Sequence, residues 1–162
     1  MRLDVPYAKQ DTEYSCGAAS VQMLLAYYGV RDSEAHLMKL LHTDQTYGTH
    51  HQAIIEVLTE QGLYCYVKTD GTLEDVLGFL DRELPVLVHY IEPDGNEHHY
   101  SVAIGYDTTH LTLNDPWNGE AFKLALDAFV ERWHDNQNDF PRWYLVASRE
   151  SFDLGRQYHP TR

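Results

Sequence analysis

The most informative segment of the chain reads Gln10-Asp11-Thr12-Glu13-Tyr14-Ser15-Cys16-Gly17-Ala18-Ala19-Ser20. Apolar residues continue beyond it to residue 30, so we expect a long helix that begins near Cys16. The first turn of a helix has unpaired backbone N–H groups and the positive end of the helix dipole, and both favour an anion. We therefore predict that this position lowers the pKa of the Cys16 thiol and makes Cys16 a nucleophile.

Two neighbours of Cys16 in the sequence suit the same chemistry. Gln10 lies six positions earlier, where a preceding loop can direct its amide toward the sulfur. Together with the backbone N–H of Cys16, that amide would form an oxyanion hole. Gly17 has no side chain, and we expect the space beside it to accept the backbone of a substrate.

A base for the thiol is predicted on a strand in the second half of the chain. In residues 98–106, alternation places His99 on a face of small side chains, which would let the cysteine helix approach closely. Asp115 ends the next strand, 16 residues after His99, where its carboxylate can accept the imidazole N–H. His98 competes with His99 as the base, and Asn114 competes with Asp115 as the orienting group.

The spacing of apolar residues changes period near the middle of the chain. Helical spacing predominates before residue 85 and strand alternation after it, which predicts an α+β fold. Helices are predicted over residues 15–28, from a cap at Asp32 or Ser33 to residue 41, over 49–62 behind a capping box, over 72–80 and over 127–133. Strands are predicted over residues 63–68, 85–92, 98–107, 111–115 and 143–147. We expect one domain, residues 1–148, and a loosely attached tail, residues 149–162.

These features occur together in one known family. Gln-x5-Cys-Gly-x-Ala at a helix start, His-aromatic on a strand and Asp-Pro at the end of the next strand resemble a papain-like cysteine peptidase. More narrowly, they resemble the bacteriocin-processing peptidases, which cut leader peptides after a double glycine. The resemblance covers residues 5–133 and implies a papain-like fold whose nucleophile helix packs on a C-terminal antiparallel sheet. It also implies the roles of four residues: Gln10 as oxyanion donor, Cys16 as nucleophile, His99 as base and Asp115 as orienting acid.

The resemblance implies a thiol hydrolase that cleaves a peptide bond in a peptide or protein substrate. Two alternatives stay open: an amidase, deamidase or acyltransferase that forms the same acyl-enzyme, and a peptide-binding module without catalysis. Tyr100 and Trp117 are further candidates for the wall of a substrate groove. We expect no cofactor and no metal, because the adjacent pairs His50-His51 and His98-His99 lack a Cys or acidic partner at zinc-like spacing.

The composition argues against several classes of protein. The 162 residues include 25 Asp and Glu against 12 Lys and Arg, and the net charge of −13 disfavours nucleic acid or an anionic membrane surface as a partner. A hydrophobic content of 43% disfavours disorder. No signal peptide is recognisable, and residues 14–30 are typical of a buried core helix rather than a membrane span, so we expect a cytoplasmic protein. The oligomeric state stays open.

The two cysteines are too few for a disulfide framework. Cys65 shares a predicted strand face with Leu63 and Val67, so we interpret it as a buried, inert thiol. A Cys16–Cys65 disulfide is the alternative, and it would remove the predicted nucleophile.

Overall fold

Helices predominate in the first half of the chain and strands in the second in the computed structural model, which describes residues 1–46, 48–135 and 139–161. The helices are α1 (Cys16–Tyr27), α2 (Glu34–Leu40), α3 (His51–Glu60), α4 (Leu73–Asp81) and α5 (Leu126–Arg132). The strands are β1 (Tyr64–Lys68), β2 (Val86–Ile91), β3 (His98–Tyr106), β4 (His110–Asp115), β5 (Gly119–Ala125) and β6 (Tyr144–Ser148). The predicted α+β class is confirmed.

The strands of the described chain form one antiparallel sheet in the order β1-β6-β2-β3-β4-β5. β6 lies between β1 and β2, so the last strand joins the helical half of the chain to the strand-rich half. β3, which carries His99, is paired on both sides, with β2 and with β4. His99 itself pairs with Tyr90 of β2, whereas the pairing of β3 with β4 begins at Val102.

The sequence pattern did not predict β5. This strand is at the edge of the sheet, pairs only with β4, and has no fully buried side chain. Alternation of apolar and polar residues arises when one face of a strand is buried. Because both faces of β5 are partly exposed, the segment lacks that signal.

The predicted core helix is confirmed in α1. It has 12 residues, ends at Tyr27 and is followed by Gly29 with a φ of 81°, the left-handed conformation that suits a glycine after a helix. Its buried side chains include Val21, Leu24 and Leu25, and it lies against β3. Within the described residues, no helix combines the length and the apolar character needed to cross a membrane.

The starts of α2 and α3 differ from each other in how they are capped. Ser33, rather than Asp32, is the N-cap of α2, and its side chain accepts a backbone N–H of the first turn. The capping box predicted at Thr49 is wrong, because the N-cap of α3 is His50 and no side chain caps it by a hydrogen bond. The Thr49 hydroxyl bonds instead to the hydroxyl of Thr43, at 2.7 Å.

The small face of β3 accommodates the N-terminal segment at Gly105. A Cβ built on Gly105 would lie 2.2 Å from the carbonyl oxygen of Met1 and 2.7 Å from Cα of Arg2. The Leu3 N–H donates to the carbonyl of Ile104 at 2.7 Å, where the register of β3 against β4 shifts. At this end of the strand, the small residue therefore makes room for the N-terminus rather than for the cysteine helix that we expected.

The segment after residue 148 packs on the sheet, which corrects the expectation of loose attachment. Phe152 is 5% exposed and belongs to the core. Tyr158 exchanges two backbone hydrogen bonds with Cys65, at 3.0 and 2.8 Å, and so covers part of the β1 edge. The division into a domain of residues 1–148 and a tail of residues 149–162 stays a prediction.

Candidate active site

Cys16 is the first residue of α1 and lies in an open cleft of about 1010 Å³. Its side chain is a free thiol with intermediate exposure. Gln10, His99 and Tyr100 line the same cleft. Residues from the loop before α1 and from the start of β3 therefore line one cleft with the thiol.

The pKa of the Cys16 thiol is opposite to our prediction. Burial raises it to about 11, although the backbone N–H groups of Tyr100, Gly17 and Cys16 itself act in the lowering direction, and the negative charge of Asp115 adds to the increase. The loss of hydration around the sulfur outweighs the position at the helix N-terminus. The thiol is thus protonated near neutral pH, and its use as a nucleophile requires a base that removes the proton.

His99 and Asp115 form a buried pair. Nε2 of His99 lies 2.9 Å from Oδ2 of Asp115, and the two residues are 6% and 0% exposed. In a neutral imidazole this contact assigns the proton to Nε2, since only a protonated nitrogen can donate to a carboxylate. Nδ1 then carries the lone pair and is the nitrogen available to accept a proton.

Asp115 is held by several donors. The Tyr90 hydroxyl donates to Oδ2 at 2.5 Å, and the backbone N–H groups of Trp117 and Asn118 donate to Oδ1 at 3.0 and 2.8 Å. Burial by itself would raise the pKa of this carboxyl, but the hydrogen bonds from His99, Tyr90 and Asn118 lower it overall. These hydrogen bonds therefore hold the Asp115 carboxyl in place and favour its anionic form. Sequence analysis missed the hydrogen bond from Tyr90 to Asp115, because a tyrosine in a mostly apolar strand gives no signal beyond packing.

The alternatives His98, which also lines the cleft, and Asn114, which does not, make other contacts. His98 is exposed, and its Nδ1 is 3.3 Å from Nε2 of His89. The amide of Asn114 donates to the carbonyl of Val5 at 2.9 Å and accepts the backbone N–H of Ala121 at 3.1 Å. Neither of the two candidates takes part in the pair formed by their neighbours.

Gln10 is buried at the edge of the cleft. Its Nε2 donates to the carbonyl of Thr12 at 2.7 Å, and its backbone N–H donates to the carbonyl of Pro116 at 3.1 Å. A primary amide has two N–H donors, so the bond to Thr12 leaves a second one free. Oε1 of Gln10 is buried without a hydrogen-bond partner among the described residues.

Gly17 and Tyr100 have structural contacts beside the thiol. A Cβ built on Gly17 would lie 2.7 Å from both Cβ and Oγ1 of Thr49, so Thr49 occupies the space that we assigned to a substrate backbone. Tyr100 is 3% exposed, donates its hydroxyl to the carbonyl of Thr49 at 2.9 Å, and lies 2.6 Å from Nδ1 of His51. Its ring forms part of the cleft wall, while its hydroxyl holds the segment before α3.

Two exposed aromatic side chains belong to the rim of the cleft. Trp117 is 44% exposed and donates Nε1 to Asp94 at 2.9 Å. Phe140 is 45% exposed, and its ring stands edge-to-face against His51 at 4.9 Å. Trp117 was a predicted candidate, whereas Phe140 lies in an irregular segment whose sequence does not mark it.

The cleft is acidic. Among the described residues that line it, five carry carboxyl groups and none is Lys or Arg. Sequence analysis missed this feature, because the carboxyl groups come from separate segments. They are Glu13, Glu92, Asp94, Glu97 and Asp135.

Cys65 and the histidines of the cleft form neither a disulfide nor a metal site among the described residues. Cys65 is fully buried, as predicted, and burial raises its pKa to about 12; its inertness stays a prediction. Cys16 and Cys65 are both free. In the described ranges, no three His, Cys, Asp or Glu side chains are placed to hold a metal ion.

Sequence comparison identifies relatives of this chain. A family model described as the Peptidase_C39 like family matches residues 2–139. The chain is 33% identical over 129 residues to the transport/processing ATP-binding protein ComA of Streptococcus pneumoniae, and it spans 17% of that protein's length. It is also 33% identical over 147 residues to an uncharacterized protein of Methanothermobacter marburgensis, a match that covers 91% of each.

Solved structures share the fold. The crystal structure of the peptidase domain of Streptococcus ComA matches with a TM-score of 0.75 and 20% identity, covering 91% of this chain and 100% of that one. A double glycine motif protease from an AMS/PCAT transporter, in complex with the leader peptide, matches with a TM-score of 0.70 and 22% identity, covering 90% and 92%. The family model and the Methanothermobacter relative each match most of the chain. The chain therefore belongs to the Peptidase_C39 like family and has a papain-like fold.

Proposed function

We propose that this protein hydrolyses a peptide bond with Cys16 as nucleophile, His99 as general base and Asp115 as orienting acid. The observation that carries the proposal is the buried contact of 2.9 Å between His99 and Asp115, next to the cleft that contains Cys16. A carboxylate on Nε2 leaves the lone pair on Nδ1, and it stabilises the imidazolium that forms when the thiol is deprotonated.

The reaction proceeds in two stages. His99 takes the proton of Cys16, and the thiolate attacks the carbonyl carbon of the scissile bond. The free N–H of Gln10 and the backbone N–H of Cys16 stabilise the resulting oxyanion. The C–N bond then breaks, and His99 returns the proton to the leaving amine. Water, deprotonated by His99, attacks the thioester, the S–C bond breaks to release the acid, and His99 returns the proton to the Cys16 sulfur.

We further propose a leader-type peptide with a double glycine as the substrate class. The support is similarity to a ComA exporter, whose name includes processing, and to a double glycine motif protease solved with a leader peptide. An open cleft of about 1010 Å³ is larger than most small-molecule pockets and suits an extended peptide. Its carboxyl groups favour a neutral or basic peptide over an acidic one.

The test compares wild-type protein with Cys16→Ala and, as a matched control, Cys65→Ala. The substrate is a synthetic peptide with a central Gly-Gly, and its partner has Val-Val in that place. We expect wild type and Cys65→Ala to cleave the first peptide, with hydrolysis products identified by mass spectrometry, while folded Cys16→Ala loses at least about 1000-fold in kcat. Cleavage that survives Cys16→Ala would refute the mechanism. Equal cleavage of both peptides would refute the double-glycine substrate class, and an acyl-transfer or deamidated product would identify one of the alternative reactions.

A further inference from the structure

A buried carboxylate contacts the loop before Cys16 from the side of α2. Glu34 is 6% exposed, and both of its carboxylate oxygens accept the backbone N–H of Asp11, at 3.1 and 3.0 Å. Within the described part of the chain, no Lys, Arg or His forms an ion pair with it. Burial and the adjacent carboxyl of Asp11 raise the pKa of Glu34 to about 7. Because burying a polar group without a hydrogen bond is unfavourable, apolar packing alone does not account for a glutamate here.

The segment that Glu34 contacts connects the candidate oxyanion donor to the nucleophile. The carbonyl of Thr12 accepts Nε2 of Gln10 at 2.7 Å. The N–H of Thr12 donates to the Ser15 hydroxyl at 3.0 Å, and Ser15 directly precedes Cys16. The amide of Gln10 is thus oriented by the same turn whose first N–H is bound by Glu34.

We propose that Glu34 is a positioning residue, which fixes the turn after Gln10 so that the free amide N–H points to the oxyanion. This inference rests on the proposed function, because it gives Glu34 an effect on catalysis through Gln10. The interaction consists of a hydrogen bond that the N–H of Asp11 shares between the two carboxyl oxygens of Glu34. Loss of the acceptor would let the turn move, and a small displacement of an oxyanion donor weakens transition-state stabilisation.

The first experiment compares two substitutions of similar volume. Glu34→Met removes the acceptor, whereas Glu34→Gln keeps an oxygen for the Asp11 N–H. We expect Glu34→Met to lower kcat about 10-fold with KM within about 2-fold, and Glu34→Gln to stay within about 3-fold of wild type. Glu56→Met, at an exposed position of α3, is the control and should leave both constants unchanged. Wild-type kcat in Glu34→Met, or equal impairment in Glu34→Gln, would overturn the proposal. If Glu34→Met does not fold, Glu34→Ala replaces it in the same comparison.

A double-mutant cycle tests whether Glu34 acts through Gln10. Gln10→Ala should lower kcat about 100-fold. In that background, Glu34→Met should cost less than about 2-fold, because the side chain that it positions is already gone. A further 10-fold loss would overturn the proposal. No loss in Gln10→Ala would instead refute the oxyanion donor of the proposed function.

Amide hydrogen exchange supplies a measurement that does not depend on catalysis. Glu34→Met should speed exchange of the Asp11 N–H at least about 10-fold, since this N–H loses its acceptor. Unchanged exchange would overturn the proposal. Faster exchange in a protein whose wild type cleaves no peptide would retain the contact and refute the proposed function.

Discussion

At the scale of single residues, the position of Cys16 at the start of α1 does not explain the pKa of its thiol. A helix N-terminus lowers the pKa of a cysteine when the sulfur is hydrated. Here burial outweighs that effect and raises the pKa to about 11. The thiol form then predominates over the thiolate at pH 7. The proposed mechanism therefore requires proton transfer to His99 in the complex with substrate, rather than a preformed thiolate.

The pH dependence of the reaction with iodoacetamide measures the pKa of the Cys16 thiol. Because only the thiolate reacts, the alkylation rate of Cys16 should rise about 10-fold per pH unit from pH 7 to pH 10, with no plateau below that. Intact-mass and peptide-mass measurements in Cys65→Ala isolate the reaction of Cys16. Cys16→Ala provides the companion rate for Cys65, which should be slower because that thiol is fully buried with a pKa of about 12. A rate for Cys16 that is already constant below pH 8 would contradict the raised pKa.

The residues of the candidate site divide by what the sequence can predict. Strand alternation limits the base to His98 or His99 and the acid to Asn114 or Asp115, and motif order favours the second of each pair. The pKa of Cys16 could not be predicted in this way. It depends on packing by segments far apart in the chain, and no local pattern records how much water they exclude.

At the scale of elements, the register of β3 against β4 determines that Asp115, rather than Asn114, faces His99. Val102 pairs with Asn114, and continuing that register places Asp115 opposite Ser101, two residues from His99 on the same face. A slip of one residue would turn Asn114 toward His99 instead. The sequence shows both strands clearly, but register is set by pairing across the sheet, which a single strand does not reveal.

The contact between the start of α1 and the start of α3 gives a prediction at this scale. A Cβ on Gly17 would lie 2.7 Å from Cβ and Oγ1 of Thr49, so Gly17→Ala should reduce the free energy of unfolding by about 1–3 kcal/mol. Thr49→Gly removes the clashing atoms, so Gly17→Ala should cost little further stability in the Thr49→Gly background. Denaturant unfolding of the four proteins measures the coupling.

The control for this cycle is Gly78→Ala. Gly78 lies in α4, and a Cβ there would meet nothing within 4 Å. The same substitution should then stabilise the protein, by up to about 1 kcal/mol, through helix propensity alone. Equal effects of Gly17→Ala and Gly78→Ala would show that Thr49 does not fill the space beside the nucleophile.

At the scale of the whole molecule, carboxyl groups from separate segments of the chain determine the charge of the cleft. The chain has a net charge of −13, and the described lining of the cleft has five carboxyl groups and no Lys or Arg. Composition alone predicts only that anionic partners are disfavoured. The sheet and the loops bring part of that charge to the cleft that contains Cys16, so that it can act on the substrate.

Peptide charge should therefore control the rate of encounter. Two peptides with the same scissile core, one with three flanking Lys and one with three flanking Glu, should differ about 10-fold in kcat/KM at low salt, with the cationic peptide faster. Because screening at about 0.5 M salt shortens the range of the field to a few ångströms, the ratio should fall to about 2 there, while kcat stays the same for both. Glu97→Gln, on the cleft, should reduce the low-salt ratio more than Glu150→Gln, which is exposed outside it. A faster anionic peptide, or a ratio that does not respond to salt, would contradict an electrostatic origin and would attribute any preference to individual contacts in the cleft.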